Sequence, residues 1–257
     1  MKTILIKCGG SVINQLTEEF FASLAELQKA GFHLAFVHGG GPDINEMLEL
    51  AGVVPEFHNG LRKTTAKTLN IVEMVLSGKT NRKLVHLLNN HQLKAIGING
   101  TDNQIIQGAL IDEEALGYVG NVKKVNSDLL VKLLEDGMIP VITPLGTTEC
   151  GQIVNINADY AAAAVAKSLN VEHCLFVTDV EGIIIDGKVA NVLEQKEVHQ
   201  YIEEGQITGG MIPKVTSSLA ALESGLKSVM IVSGKKAIYD GQTLFGTQIV
   251  EKLEVVK

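Results

Sequence analysis

The chain has 257 residues, of which 46% are hydrophobic, 20% charged and 4% aromatic, with a formal net charge of −7. That composition supports a large core, as one α/β domain or two lobes, while the acidic balance and scarce aromatics argue against a nucleic-acid partner. Its scattered cysteines make no disulfide framework, no apolar run reaches membrane-spanning length, and Met1-Lys2-Thr3 leads into a strand-like segment unlike a secretory leader, so a cytoplasmic location is expected.

The first element is an apolar run, Ile4-Leu5-Ile6, that carries Lys7 at its downstream end and breaks after Cys8 into Gly9-Gly10. Thr17 can cap a helix over 18–29, with Gly31 as its stop. A second strand over 33–37 breaks into His38-Gly39-Gly40-Gly41, and Pro42 then suits a helix start running to about residue 50. Residues 56–62 read as a hairpin whose Asn59-Gly60 turn is type I′. Helices are predicted over 65–76 and 79–90 and a strand over 94–98. Residues 104–125 read as irregular and β-rich, followed by a helix over 127–136 and a strand over 139–143 that Pro144 stops. Residues 146–151 are small and polar, a candidate lobe boundary. A helix over 158–169, a strand over 173–178, a short β excursion between Gly182 and Gly187, helices over 195–204 and 211–223, and strands over 228–232 and 248–250 complete the chain. Strands alternate with helices throughout, which predicts a mostly parallel sheet covered on both faces.

Several strand ends and helix starts carry polar chemistry. A lysine is costly to bury without an anion, and glycines bring backbone N–H groups close to a ligand, so Lys7 with Gly9 and Gly10 suits a phosphate; an edge strand with a solvated lysine is the alternative. The glycines 39–41 feed a helix N-terminus, which favours a carboxylate or phosphate. Arg62 could hold a carboxylate in bidentate fashion, though on residues alone an ordinary surface arginine is the simpler account. Asn155 and Asp159 flank Asn157, which also reads as a plain helix cap. Asp179 follows a strand end, and Lys214 sits in the first turns of a helix, where it opposes the dipole unless an anion is near. Gly78-Lys79-Thr80 is no P-loop, because Glu73 stands where that motif needs glycine. Neither a dinucleotide fingerprint, nor metal-ligand spacing, nor a Gly-x-Ser-x-Gly elbow is present. Cys8 reads as packing.

Taken together, Ile-Lys-x-Gly-Gly, Val-His-Gly-Gly-Gly, Asn-Gly-Leu-Arg, Asn-x-Asn-Ala-Asp and Thr-x-Gly-Met-x-x-Lys, in this order along nearly the whole chain, resemble the amino acid kinase family, and most closely its branch that phosphorylates N-acetyl-L-glutamate. The resemblance implies an α/β fold of the carbamate kinase-like type, a three-layer αβα sandwich around a mostly parallel sheet. It implies one domain over 1–257 in two lobes, about 1–150 for the acceptor and dimerisation and about 151–257 for ATP. The implied reaction is ATP-dependent phosphorylation of the γ-carboxylate of N-acetyl-L-glutamate, a step of arginine biosynthesis.

By the same resemblance Lys7 and Lys214 stabilise the moving phosphoryl group, and Asp159 holds both lysines. Gly40, Gly41, Arg62 and Asn155 bind the acceptor. Gly9 and Gly10 lie beside the phosphates. Asp179, Val180, Glu181, Gly182, Ile183 and Ile184, with Gln206, Ile207 and Thr208, form the nucleotide site. Mg²⁺ is expected to arrive with ATP and to be held mainly by its phosphates. Arginine-inhibited hexameric relatives carry a helix before the first strand; here the strand starts at about residue 3, so a homodimer without that inhibition is expected. The rival readings are a sister kinase acting on another carboxylate or phosphate, and a nucleotide-sensing module without catalysis.

Overall fold

Local sequence signals account for most of the elements in the computed structural model, which describes residues 1–252. Strand β1 (Thr3–Cys8) is followed by helix α1 (Glu18–Lys29), whose first turn is capped by the Thr17 hydroxyl and whose Phe20, Phe21, Leu24 and Leu27 are buried. Strand β2 (His33–His38) leads into α2 (Gly41–Leu50), with Pro42 in its first turn. Strands β3 (Phe57–His58) and β4 (Leu61–Arg62) form the predicted hairpin. Its Asn59 and Gly60 both have positive φ, at 49° and 78°, as a type I′ turn requires.

The two helices predicted next are one continuous helical passage. Helix α3 (Ala66–Glu73) runs through a π-helical segment, Met74–Thr80, into α4 (Asn81–Asn90). Strand β5 (Ala95–Asn99) follows. The β-rich stretch resolves into β6 (Ile106–Leu110), the short α5 (Glu113–Leu116) and β7 (Val119–Val125). Then come α6 (Asp128–Glu135), β8 (Ile139–Thr143), β9 (Leu145–Thr147) and β10 (Ile153–Ile156). The polar stretch 146–151 therefore lies largely in a tight β9–β10 hairpin. Strands β6, β7, β9 and β10 close into a small barrel, which the sequence had not suggested.

Downstream are α7 (Ala158–Ser168), β11 (His173–Thr178), the ribbon β12 (Ile184–Ile185) and β13 (Lys188–Val189), β14 (Val192–Glu194), α8 (Gln195–Glu203), α9 (Met211–Glu223), β15 (Ser228–Ser233) and β16 (Thr247–Val250). The main sheet has the order β14-β16-β15-β11-β1-β2-β8-β5, and every neighbouring pair is parallel except β15 with β16. Strand β1 is central, and its side chains alternate between two cores. Leu5 packs into a cluster with α6, α7 and α9, and Ile4 and Ile6 into a cluster with α1 and α4. Helices thus cover both faces, giving the expected αβα sandwich. The end of the second expected lobe, residues 253–257, lies outside the described residues.

No helix among the described residues is long and apolar enough to cross a membrane. The three cysteines are free. Burial pushes the Cys8 thiol up to about 12, which leaves it a packing residue rather than a nucleophile.

Candidate active site

The centre of the sheet carries Lys7 to the point where β1 ends. Strand β1 pairs with β2 on one side and β11 on the other, so Lys7 lies level with Val37 and Phe176. Helix α7 packs across β1, and its alanine-rich buried face (Ala161, Ala162, Ala163 and Ala166, with Val165) permits a close approach. Asn157 caps α7 by accepting from the Asp159 and Tyr160 N–H groups, which fixes Asp159 in the first turn. Lys7 Nζ then lies 2.7 Å from Asp159 Oδ1, with both side chains largely shielded. That oxygen has no aligned hydrogen-bond donor, so the contact is an ion pair first. The other carboxylate oxygen accepts from the Ser217 hydroxyl at 2.8 Å.

The two glycine turns meet backbone to backbone. A Cβ on Gly10 would lie 2.7 Å from Gly40 Cα, and a Cβ on Gly40 would lie 2.4 Å from Leu76 Cδ2, so neither position has room for a side chain. The Gly39 N–H donates to the Cys8 carbonyl across the gap. Beneath the second turn sits His38, fully buried. Its Nδ1 is 3.0 Å from the Gly39 carbonyl and must donate to it, so Nε2 is the acceptor for Asn81 Nδ2 and the Thr143 hydroxyl. Burial lowers the His38 pKa to about 4, so the ring stays neutral.

Gly40, Gly41, Arg62 and Asn155, the expected acceptor residues, come together around one cavity of about 190 Å³, with Asn157 also in its wall. Gly41 has open space where a Cβ would stand. The hairpin β3–β4 carries Arg62 over it. The guanidinium stacks 4.7 Å above the Phe57 ring and donates through Nη2 to Asn45 Oδ1 at 2.6 Å. Its Nη1 is buried without a partner. Such a nitrogen is costly to leave unpaired. Asn155 is tied in through Thr64, whose hydroxyl accepts from Asn155 Nδ2 and donates to the Arg62 carbonyl.

Lys214 takes a different partner from the one expected. Asp159 is not within ion-pair distance of it; Lys214 Nζ lies 2.7 Å from Asp179 Oδ1, just beyond β11. The Lys214 ammonium holds the Asp179 carboxyl below its usual range. Of the other residues expected at the nucleotide, Ile183 and Ile207 have their side chains buried in the core on the α7–α9 face, and their N–H groups donate to Thr247 Oγ1 and the Tyr201 carbonyl. Gly182 is pressed against Thr247 and Val189, Ile184 is exposed in β12, and Glu181 pairs with Lys236 at 2.5 Å. The Val180 N–H donates to Thr178 Oγ1, while Gln206 and Thr208 lie exposed ahead of α9. A cavity of about 780 Å³ lies beside β14 and β16 and shares only Glu181 with this group.

Three supporting residues escaped the sequence reading. Ser217 had a usable signal, because it stands three positions after Lys214 on one helix and so shares its face. His38 lay inside a noticed motif without an assigned task. Asn45 had no local signal, since its partner is 17 residues away across the α2–hairpin connection.

The arrangement suits phosphoryl transfer, which needs charge placed around a moving phosphoryl group and little covalent help. The model of the Amino acid kinase family matches residues 2–233. The chain is 49% identical over 254 residues to an acetylglutamate kinase of Geobacillus sp. (strain WCH70), covering 99% of both proteins. A crystal structure of smu.665 from Streptococcus mutans UA159 superposes with a TM-score of 0.83 at 31% identity, covering 97% of this chain and 99% of that one. A Giardia carbamate kinase, at 16% identity, shares the fold with a TM-score of 0.68 over 98% of this chain and 99% of its own. From motif order, fold and matched length together, the chain belongs to the amino acid kinase family.

Proposed function

We propose that this chain transfers the γ-phosphoryl group of ATP to the γ-carboxylate of N-acetyl-L-glutamate, giving N-acetyl-L-glutamyl 5-phosphate and ADP in arginine biosynthesis. The observation that carries this reading is the cavity that Gly40, Gly41, Arg62 and Asn155 line together at the helix α2 N-terminus, with one Arg62 guanidinium nitrogen buried and unpartnered. A substrate with two carboxylates fits such a site: one meets Arg62 and the other points toward Lys7. Full-length similarity to a protein named acetylglutamate kinase supports the same choice.

In this reading a γ-carboxylate oxygen forms a bond to the γ-phosphorus while the bond from that phosphorus to the β–γ bridging oxygen breaks, leaving the electron pair on ADP. The nucleophile is already ionised at neutral pH, so no base is needed. Lys7, fixed by Asp159, and Lys214 meet the charge that spreads over the phosphoryl oxygens. Gly9 and Gly10 leave room for the outer phosphates, and the segments 179–184 and 206–208 receive the rest of the nucleotide. Mg²⁺ would enter with ATP and be held mainly by the nucleotide phosphates. The residues to about 150 would serve the acceptor and those from 151 the nucleotide, in a cytoplasmic homodimer. The open edge of β5, with Ile96 exposed, is a surface that a second copy could cover.

A coupled ADP-release assay over N-acetyl-L-glutamate, glutamate, aspartate, carbamate, UMP and isopentenyl phosphate tests the reading. N-acetyl-L-glutamate should give by far the highest kcat/KM, and preference for a free amino acid would overturn the assignment. Sedimentation should give a dimer, and arginine should leave the rate unchanged; a hexamer or strong arginine inhibition would sink that part.

A further inference from the structure

We infer that Asn45 is a specificity-determining residue: its neutral carboxamide seats Arg62 without cancelling the charge that selects an acceptor with a second carboxylate. The inference rests on the acceptor assignment made above and adds a residue to it.

Beside Asn45, helix α2 carries the carboxylates Asp43, Glu46 and Glu49. Asp43 and Glu46 are engaged elsewhere. Asp43 accepts from the Thr80 hydroxyl at 2.8 Å and lies 3.3 Å from Lys79 Nζ, while Glu46 lies 2.6 Å from the same ammonium. The one uncharged member of the group meets Arg62. Among the described residues no carboxylate lies within ion-pair distance of that guanidinium, an unusual state for a half-buried arginine. Phe57 holds its face and Asn45 its Nη2, so two of the guanidinium's freedoms are fixed while Nη1 stays buried without a partner, and Arg62 itself lines the cavity. With the γ-carboxylate of the acceptor turned toward Lys7, the remaining anion is the α-carboxylate, and Arg62 is the cation left for it. An aspartate at position 45 would form an internal ion pair with Arg62 and compete with that anion.

The test compares N-acetyl-L-glutamate with its α-carboxamide, N-acetyl-L-isoglutamine, in the wild-type protein, Asn45→Asp and Asn45→Ala. The wild type should favour the acid. Asn45→Asp should raise the KM for the acid by about fivefold, the scale of a partly exposed ion pair, leave the KM for the amide and for ATP within about twofold, and so narrow the preference. Asn45→Ala keeps the charge available but loses the seat that orients it, so its preference for the acid should fall between those of the wild type and Asn45→Asp, and an Asn45→Ala ratio equal to wild type would remove Asn45 from specificity. An Asn45→Asp protein of unchanged thermal midpoint that keeps the wild-type acid-to-amide ratio, or that loses kcat equally on both acceptors, would overturn the inference. Failure of the folded wild type to phosphorylate either compound would instead sink the acceptor assignment itself.

Discussion

Lys7 and Lys214 each meet a carboxylate at 2.7 Å, yet their surroundings differ. The Lys7 and Asp159 side chains are 18% and 17% exposed, those of Lys214 and Asp179 26% and 44%. The glycines near them differ in the same way. Gly10 and Gly40 press against each other, whereas Gly209 and Gly210, which lead into the helix of Lys214, have nothing within 4 Å of a would-be Cβ. One lysine is built into the packed centre of the sheet. The other rests on a half-exposed carboxylate. In the proposed reaction one stabilising lysine is therefore held fixed and the other is free to exchange its carboxylate for a phosphate.

The largest expected effect lies on the fixed side. Lys7→Gln should lower kcat on the order of a hundred- to thousand-fold, the cost of removing one preorganised stabiliser of developing charge. Steady-state ADP release by a preparation with unchanged circular dichroism measures it, and a loss below tenfold would remove Lys7 from the chemistry. A sharper contrast comes from the two carboxylates. Asp159→Asn should cost kcat about a hundredfold, since it frees Lys7 from its only ion-pair partner among the described residues. Asp179→Asn should cost less than tenfold, because Lys214 must leave that partner to reach a phosphate. Equal losses in the two variants would erase the distinction between the pairs.

Stability should divide along the same line. Gly40→Ala forces a methyl against Leu76 and should destabilise the fold by about 1–3 kcal/mol, an overpacking cost. Gly210→Ala meets open space and should stay within about 0.5 kcal/mol of wild type. Urea unfolding of both proteins checks this, and an equal destabilisation would mean that the glycine turns are packed alike.

The sequence announced the αβα order and the strand ends that carry Lys7, Gly39–Gly41 and Asp179, because periodicity and glycine breaks are local signals. It missed the barrel because glycines 108, 120 and 146 stand within β6, β7 and β9, where they hide the alternation of a strand. It divided the helix near residue 78 because Gly78 looks like a stop, although the backbone runs on through a π-helical turn. The pairing of Lys214 with Asp179 rather than Asp159 was hidden for another reason. Which of two nearby carboxylates a lysine takes depends on the Ser217 hydroxyl and on the relative position of α7 and α9, and neither is written in any one motif.

The smallest expected effect probes what lies under the fixed side. His38 supports the Gly39 carbonyl as a neutral ring, with a pKa near 4 in the folded chain against about 6.5 for an unperturbed histidine. The unfolded chain therefore takes up the proton first on acidification. Stability is fully present above about pH 7 and falls as pH drops through 6.5 toward 4, by about 0.8 kcal/mol between pH 7.5 and pH 6 from this group alone. His91 works in the opposite sense. Its hydrogen bond to the Leu87 carbonyl raises its pKa, helped by Glu18, so its contribution is present at low pH and fades as pH rises. A global unfolding curve mixes the two, and the decisive readout is the ring resonance of each histidine by NMR. His38 should not titrate above pH 5, while His91 should titrate above the ordinary value. A His38 midpoint near 6.5 would mean that the ring is open to water, and the glycine turn beside Lys7 would then lack the buried support that sets it apart from the turn ahead of Lys214.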